Sequence, residues 1–254
     1  MTNDFSWLSR TQLLIGEQAL HRLAKAHVMV VGLGGVGSYA AEFIARSGVG
    51  KMTIIDGDTV DPSNRNRQLP ALATNHGQPK AQIMADRLRA INPELELEVV
   101  QEFVSPAMVK EQLSHRPSYI IDAIDSITPK LTFIQLAYES RLPLVSSMGA
   151  GAKLDPTRLQ VVDISETWNC PFAQQVRKQL KKNFGIRKGI KVVFSPENPI
   201  KESLMLTPGQ RYKKSAYGTI SYLPAVFGAV AASVVIRDLI RPPRKKNKQT
   251  DPIS

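Results

Sequence analysis

Between residues 30 and 58 the chain reads VVGLGGVGSYAAEFIARSGVGKMTIIDGD. An apolar run meets G-x-G-x-x-G, an amphipathic stretch follows, and a second apolar run closes on two acidic residues. Such a pattern is a β-α-β unit, and its strands must lie parallel because the helix carries the chain back across one face of the sheet. Gly32, Gly34 and Gly37 let the backbone turn tightly, approach a phosphate and pack the helix on the strand; Gly35 belongs to the same turn. The helix amino end offers unpaired N–H groups to an anion. Asp56 stands 19 residues after Gly37, where a carboxylate accepts hydrogen bonds from ribose hydroxyls, and Asp58 extends that turn. Taken alone, the stretch makes NAD the default ligand.

The alternation continues downstream. Residues 11–26 have apolar positions at helical spacing and should pack as one helix against the first strand unit. Strands are expected at 28–31, 52–55, 95–100, 118–122 and 143–148. Helices are expected at 36–47 and 79–91, the latter with Pro79 in its first turn, and also from Pro106 and from Pro129. The expected fold is therefore α/β: a Rossmann-like, mostly parallel sheet with helices on both faces. After Gly151 the pattern changes, and RLQVVDI reads as a strand of a C-terminal antiparallel extension. Residues 219–236 are nearly uncharged for 18 positions, long enough to span a membrane. Their small residues and Pro224 favour a helix buried in a soluble core over membrane contact. Residues 1–240 are expected to form one nucleotide-binding unit with a basic C-terminal portion from about 151, and 241–254 a basic, disordered tail.

Three features turn the reading away from NAD. The loop GDTVDPSNRNRQLP is long and polar and places Arg65 and Arg67 beside the ribose-binding strand end, where two guanidinium groups suit a triphosphate. Lys80 adds a compact cation at the start of a helix. Asp122 and Asp125 close a buried strand at the carboxyl edge, and a carboxylate facing phosphates implies Mg²⁺ between them. Each has a plainer alternative: Arg65 as a surface residue, Asp122 as a cap of the next helix. No G-x-x-x-x-G-K-[ST] occurs, so a P-loop is excluded.

Charge locates a second function. Residues 1–150 carry 14 Lys and Arg against 15 Asp and Glu, whereas residues 151–254 carry 19 against 7. Arg177, Lys178, Lys181, Lys182, Arg187, Lys188 and Lys191 crowd one segment, a candidate contact for a polyanion such as nucleic acid; the alternative is a solvated basic face. The single cysteine, Cys170, excludes an internal disulfide and zinc sites built from C-x-x-C pairs. No basic stretch followed by an apolar run opens the chain, so a cytoplasmic location is expected.

Taken together, RTQLLIG, GLGGVGS, IIDGDTVDPSNRNRQ, GQPKA, INPE and DAIDS resemble the ThiF/MoeB superfamily of adenylating enzymes, related to ubiquitin-activating enzymes, from about Arg10 to Leu239. The resemblance implies ATP at the glycine turn, Asp56 on ribose, and Asn64 and Arg67 on the nucleotide and its phosphates. It also implies Lys80 on phosphates, Asp125 near Mg²⁺, and a homodimer in which Arg10 reaches the partner's site. The implied reaction is attack of a carboxylate on the α-phosphate. MGAGAKLDPTRLQVVDI and GTISYLPAVFGAVAASVVIRDL resemble the tRNA threonylcarbamoyladenosine dehydratase branch, which implies tRNA as substrate and agrees with the charge map. Two other readings stand beside it. One is an adenylyltransferase for a ubiquitin-like sulfur carrier, with a sulfur-transfer protein as partner and Cys170 as a candidate nucleophile. The other is a non-catalytic, nucleotide-dependent RNA-binding protein.

Overall fold

The computed structural model describes residues 5–206 and 215–242. Its centre is a seven-stranded sheet built from β1 (His27–Val31), β2 (Lys51–Ile55), β3 (Glu96–Val100), β4 (Tyr119–Asp122), β5 (Leu144–Ser147), β6 (Gln160–Asp163) and β7 (Lys191–Phe194). The strand order is β3-β2-β1-β4-β5-β7-β6, parallel except for β6, which pairs antiparallel with β7. Every residue of β1, β4 and β5 is buried, as strands covered on both faces must be. Successive residues of β1 feed opposite layers: Val28 and Val30 join the cluster under one set of helices, Met29 and Val31 the other. The first layer holds α3 (Gly37–Arg46), α4 (Lys80–Ile91) and α8 (Tyr222–Leu239). The second holds α5 (Pro106–Ser114), α6 (Ile127–Glu139) and α7 (Pro171–Phe184). A separate hairpin, β8 (Leu204–Leu206) with β9 (Ser215–Tyr217), completes the C-terminal part.

The expected α/β architecture holds, with local differences. The single helix expected over 11–26 is two, α1 (Ser9–Ile15) and α2 (Glu17–Ala24), broken at Gly16 with φ +79°. The break separates two fates: Leu20 and Leu23 enter the core, while Leu13 and Leu14 stay 89% and 84% exposed. Pro79 caps α4 from outside rather than sitting in its first turn, and α6 begins two residues before Pro129. β7 and the β8–β9 hairpin were not expected. KVVF is short and follows a basic run, so neither period nor composition marks it. Residues 243–254 of the expected tail lie outside the described residues.

The apolar segment near the C-terminus forms α8, long and apolar enough to cross a membrane by length and composition. Here it packs along α3 and crosses β5, β4 and β7. Leu223, Phe227, Ala231 and Val235 are buried on the sheet side. At its far end Asp238 accepts hydrogen bonds from Tyr119 (2.9 Å) and Lys191 (2.6 Å). Gly228 allows the close crossing, because a Cβ there would overlap the carbonyl oxygen of Val36, which accepts the Ala40 N–H in the first turn of α3. Gly228→Ala is therefore expected to cost about 1–3 kcal/mol, seen as a lower urea midpoint at unchanged slope.

Candidate functional site

The carboxyl ends of β1, β2 and β4 open on one edge of the sheet, and the loops leaving them make the candidate site. After β1 the chain turns through Gly32, with φ +86°, and enters α3 at Gly37. The two glycines touch: a Cβ on Gly37 would overlap the Gly32 carbonyl, and one on Gly32 would lie 2.8 Å from the Ala123 oxygen after β4. No side chain caps α3, and although the Ser38 N–H donates to the Gly34 carbonyl at 3.2 Å, the positive end of the helix dipole is left to face an anion.

Asp56 latches this turn. One carboxylate oxygen accepts the Leu33 N–H at 2.6 Å, and the other accepts the Asp58 N–H at 2.8 Å. Burial raises its pKa above the usual aspartate value, against the opposing charge of Lys80 and the two backbone donors. Lys80 is buried at the start of α4 and pairs with Asp58 at 3.2 Å. The loop between Asp58 and Lys80 folds back on itself through a Thr59–Pro79 bridge. Its 62–68 segment leans over the glycine turn: a Cβ on Gly35 would meet the Arg67 carbonyl at 3.2 Å. The Arg67 guanidinium donates to the Ser63 carbonyl and the Asn66 side chain. Asn64 is buried, and its side-chain oxygen accepts the Asp61 N–H at 3.2 Å, which shapes the loop. Arg65 is exposed, as its plainer reading held.

Beyond β4 the two aspartates separate. Asp125 is exposed in the turn and takes a hydrogen bond from Ser126. Asp122 is fully buried and does not cap α6. It ion-pairs with Lys130 at 2.8 Å, accepts the Ser146 hydroxyl at 2.6 Å, and accepts the Ile124 N–H at 3.0 Å. The Lys130 ammonium also donates to the Ile124 carbonyl at 3.0 Å, so the pair fixes the 123–125 turn from beneath. Burial lowers the Lys130 pKa, and Asp122 pulls it back.

Two residues of the site went unrecognised in the sequence. Lys130 lies eight positions from its partner, with no local signal. Gln68 closes the SNRNRQ loop, and its side chain is among the atoms nearest Gly34; its buried carbonyl oxygen has no hydrogen-bond donor among the described residues. An orphan acceptor beside an open helix end is what a bound group with donors of its own would satisfy.

Other expected residues are not brought to this turn. Arg10 is exposed on α1; Leu8, two residues earlier, packs against Gly48 in the turn before β2, at the amino edge of the sheet. The basic segment also lies towards that edge, since residues 185–190 lead directly into the start of β7. Strands of this length separate the two edges by roughly 16 Å. Within the segment the Arg177 guanidinium donates to the carbonyl and hydroxyl of Thr167, and Lys191 pairs with Asp238, so these two are already engaged within the fold. Lys178, Lys181, Lys182, Arg187 and Lys188 are exposed and make no ion pair among the described residues. Cys170 is buried in the second apolar cluster, away from solvent.

Removing one partner of the buried pair should be costly. Lys130→Met leaves Asp122 without its counter-charge and is expected to lose about 3–5 kcal/mol, whereas Asp122→Leu with Lys130→Met recovers most of that. Urea unfolding of the single and double variants checks both.

Known proteins share this sequence and fold. The family model described as ThiF family matches residues 8–252. The tRNA threonylcarbamoyladenosine dehydratase of Escherichia coli is 41% identical, over 92% of this chain and 95% of that protein. The crystal structure of the E. coli dehydratase in complex with ATP superposes with a TM-score of 0.86, covering 94% of this chain and 97% of that one. The E. coli sulfur carrier protein ThiS adenylyltransferase is 30% identical over 59% of this chain.

Proposed function

The chain belongs to the ThiF family, and from that membership and the site we propose that it catalyses the ATP-dependent dehydration of threonylcarbamoyladenosine in tRNA. What carries the reading is the open amino end of α3, ringed by Asp56, Arg67, Gln68 and Lys80. Those groups offer cations for a triphosphate and a carboxylate and an orphan acceptor for hydroxyl or amino donors. The similar E. coli dehydratase structure is a complex with ATP, which supports a nucleotide as the ligand.

In this reading the close packing of Gly32, Gly35 and Gly37 aims the helix end at the phosphates, and Gly34 adds no side chain there. Asp56 takes the ribose hydroxyls, with Asp58 holding Lys80 in place, and Asn64 shapes the loop that carries Arg67. Asp125, exposed in its turn, would hold Mg²⁺, an ion that takes few protein carboxylates and suits a site of this kind. Among the described residues no cluster of three or more His, Cys, Asp or Glu offers a protein-only cage. When bound, the ion neutralises phosphate charge.

A threonine carboxylate oxygen bonds to the α-phosphorus as the bond to pyrophosphate breaks. An atom of the same side chain then attacks the acyl carbon, the acyl–oxygen bond breaks, and AMP and a proton leave. ATP thus becomes AMP and pyrophosphate, and the nucleoside loses one water. Ring closure within one side chain gains an effective concentration on the order of 10⁵ M, so no protein nucleophile is needed. The buried Cys170 fits that economy, and the sulfur-carrier reading draws no support from it. Charge building at the α-phosphate meets Arg67, Lys80 and the α3 amides, groups already oriented before reaction.

The enzyme acts in the cytoplasm as a homodimer. Leu13 and Leu14, with half-exposed Trp7, make an apolar strip on the α1 side of the molecule that a second copy would cover, beside Arg10. Because its own glycine turn lies at the other edge, Arg10 serves the partner's site. Lys178, Lys181, Lys182, Arg187 and Lys188 hold tRNA phosphates.

Two outcomes test this. Purified protein with ATP and Mg²⁺ should lower the mass of threonylcarbamoyladenosine in modified tRNA by one water, and an unchanged mass refutes the activity. Replacing Lys181 and Lys182 by alanine should flatten the dependence of log affinity for tRNA on log salt by about 0.7–0.9 for each phosphate the protein no longer neutralises; an unchanged slope removes these lysines from the interface.

A further inference from the structure

Next to the nucleotide turn, along the same carboxyl edge, the loops leaving β5 and β7 enclose an open cleft of about 470 Å³. That is within the usual range of small-ligand pockets, about 300–1,000 Å³. Asn66 of the nucleotide loop forms one wall, and its side-chain N–H donates to the Thr219 carbonyl at 2.9 Å, joining the two regions. Leu154, Ile200 and Ile220 supply apolar surface, each of them exposed.

Backbone hydrogen bonds run through the walls. Ile200 N–H donates to the Ala152 carbonyl (2.9 Å), Ala152 N–H to Gly218 (2.8 Å), and Gly218 N–H to Ser203 (2.9 Å). Ala152 is buried with φ +61°, a left-handed conformation that is uncommon for alanine and that tends to persist at ligand sites because the surroundings enforce it. Tyr222 is held over the rim by its hydroxyl, which donates to the Leu154 carbonyl at 2.9 Å.

Lys153 also lines the cleft and is 2% exposed. Its ammonium donates to the Gly149 and Ser195 carbonyls, leaving a third N–H, and it has no carboxylate partner among the described residues. The two carbonyls solvate the ammonium without cancelling its charge, so the cleft beside it favours an anionic group.

We propose that this cleft is the acceptor subsite: it receives the modified adenosine extruded from the RNA, its threonine carboxylate drawn in by Lys153 and directed past Asn66 towards the α-phosphate. The assignment rests on the dehydratase reading. The order of strands supports it, because nucleotide loops leave β2, β1 and β4 while cleft loops leave β5 and β7, so donor and acceptor lie side by side on one edge. Extruding the nucleoside is also how enzymes reach atoms that a folded nucleic acid covers.

The test uses free N6-threonylcarbamoyladenosine as competitor of modified tRNA, with ATP and Mg²⁺ and the intact enzyme. Competition is expected, with plain adenosine at least about tenfold weaker because it lacks the carboxylate. Leu154→Trp and Ile220→Trp fill the cleft from two sides at exposed positions, so a folded enzyme is expected, read by ATP affinity within twofold of wild type. Each should raise the nucleoside inhibition constant and the KM for modified tRNA about tenfold or more. If both variants keep both constants within twofold, the subsite is not here. Equal competition by adenosine overturns the part given to Lys153. Wild-type enzyme that removes no water from modified tRNA refutes the dehydratase reading instead, and nucleoside binding blocked by the two tryptophans would still support the cleft.

Discussion

Everything at the site depends on how closely α3 returns to the strand it leaves. Gly37 lies against the Gly32 carbonyl with no room for a side chain, and that contact aims the helix amino end at the space above β1. The same contact is supported from three directions. Asp56 holds Leu33 from the β2 side, Ala123 abuts Gly32 from the β4 side, and α8 closes on the first turn through Gly228. A concentration of N–H groups with no side-chain cap is thereby held open, at a cost in stability that a bound anion would offset.

Beneath that surface lies a charged pair that only burial explains. Asp122, Lys130 and Ser146 bind one another under the turn that carries Asp125. A pair of this kind contributes little net stability compared with apolar packing, but it is intolerant of losing one member. Its evident product is geometry: the Lys130 ammonium holds the Ile124 carbonyl and Asp122 its N–H, so Asp125 follows a residue fixed through both its backbone groups.

Charge is distributed by edge. At the carboxyl edge Lys80 is engaged by a carboxylate and Arg67 by a carbonyl, as suits a site that must fix small anionic groups, while Arg65 is exposed. The exposed cations of the basic segment near the amino edge make no ion pair among the described residues, which suits a long polyanion held by many weak contacts. A substrate of tRNA size can touch both regions, and a second copy of the chain would bring one protomer's Arg10 edge towards its partner.

The β-α-β unit, the glycine turn, Asp56 and the cationic loop were legible in the sequence because each is written locally: in the period of apolar residues, the spacing of glycines and the composition of one loop. The parallel sheet followed from those periods, since no other arrangement buries such strands on both faces. Tertiary structure alone decided which charges face solvent. Seven basic residues count alike along the segment, yet Arg177 and Lys191, both half-buried, are engaged by Thr167 and Asp238 while the others are exposed. It alone broke the first helix at Gly16, since helical spacing on both sides of one glycine cannot report its φ. It also paired Lys130 with Asp122, left Gln68 with an unmet acceptor and set Lys153 beside the cleft. These are facts about which distant segments share a volume, and the free energy of a buried polar group is set by its neighbours in space, which residue spacing along a chain does not encode.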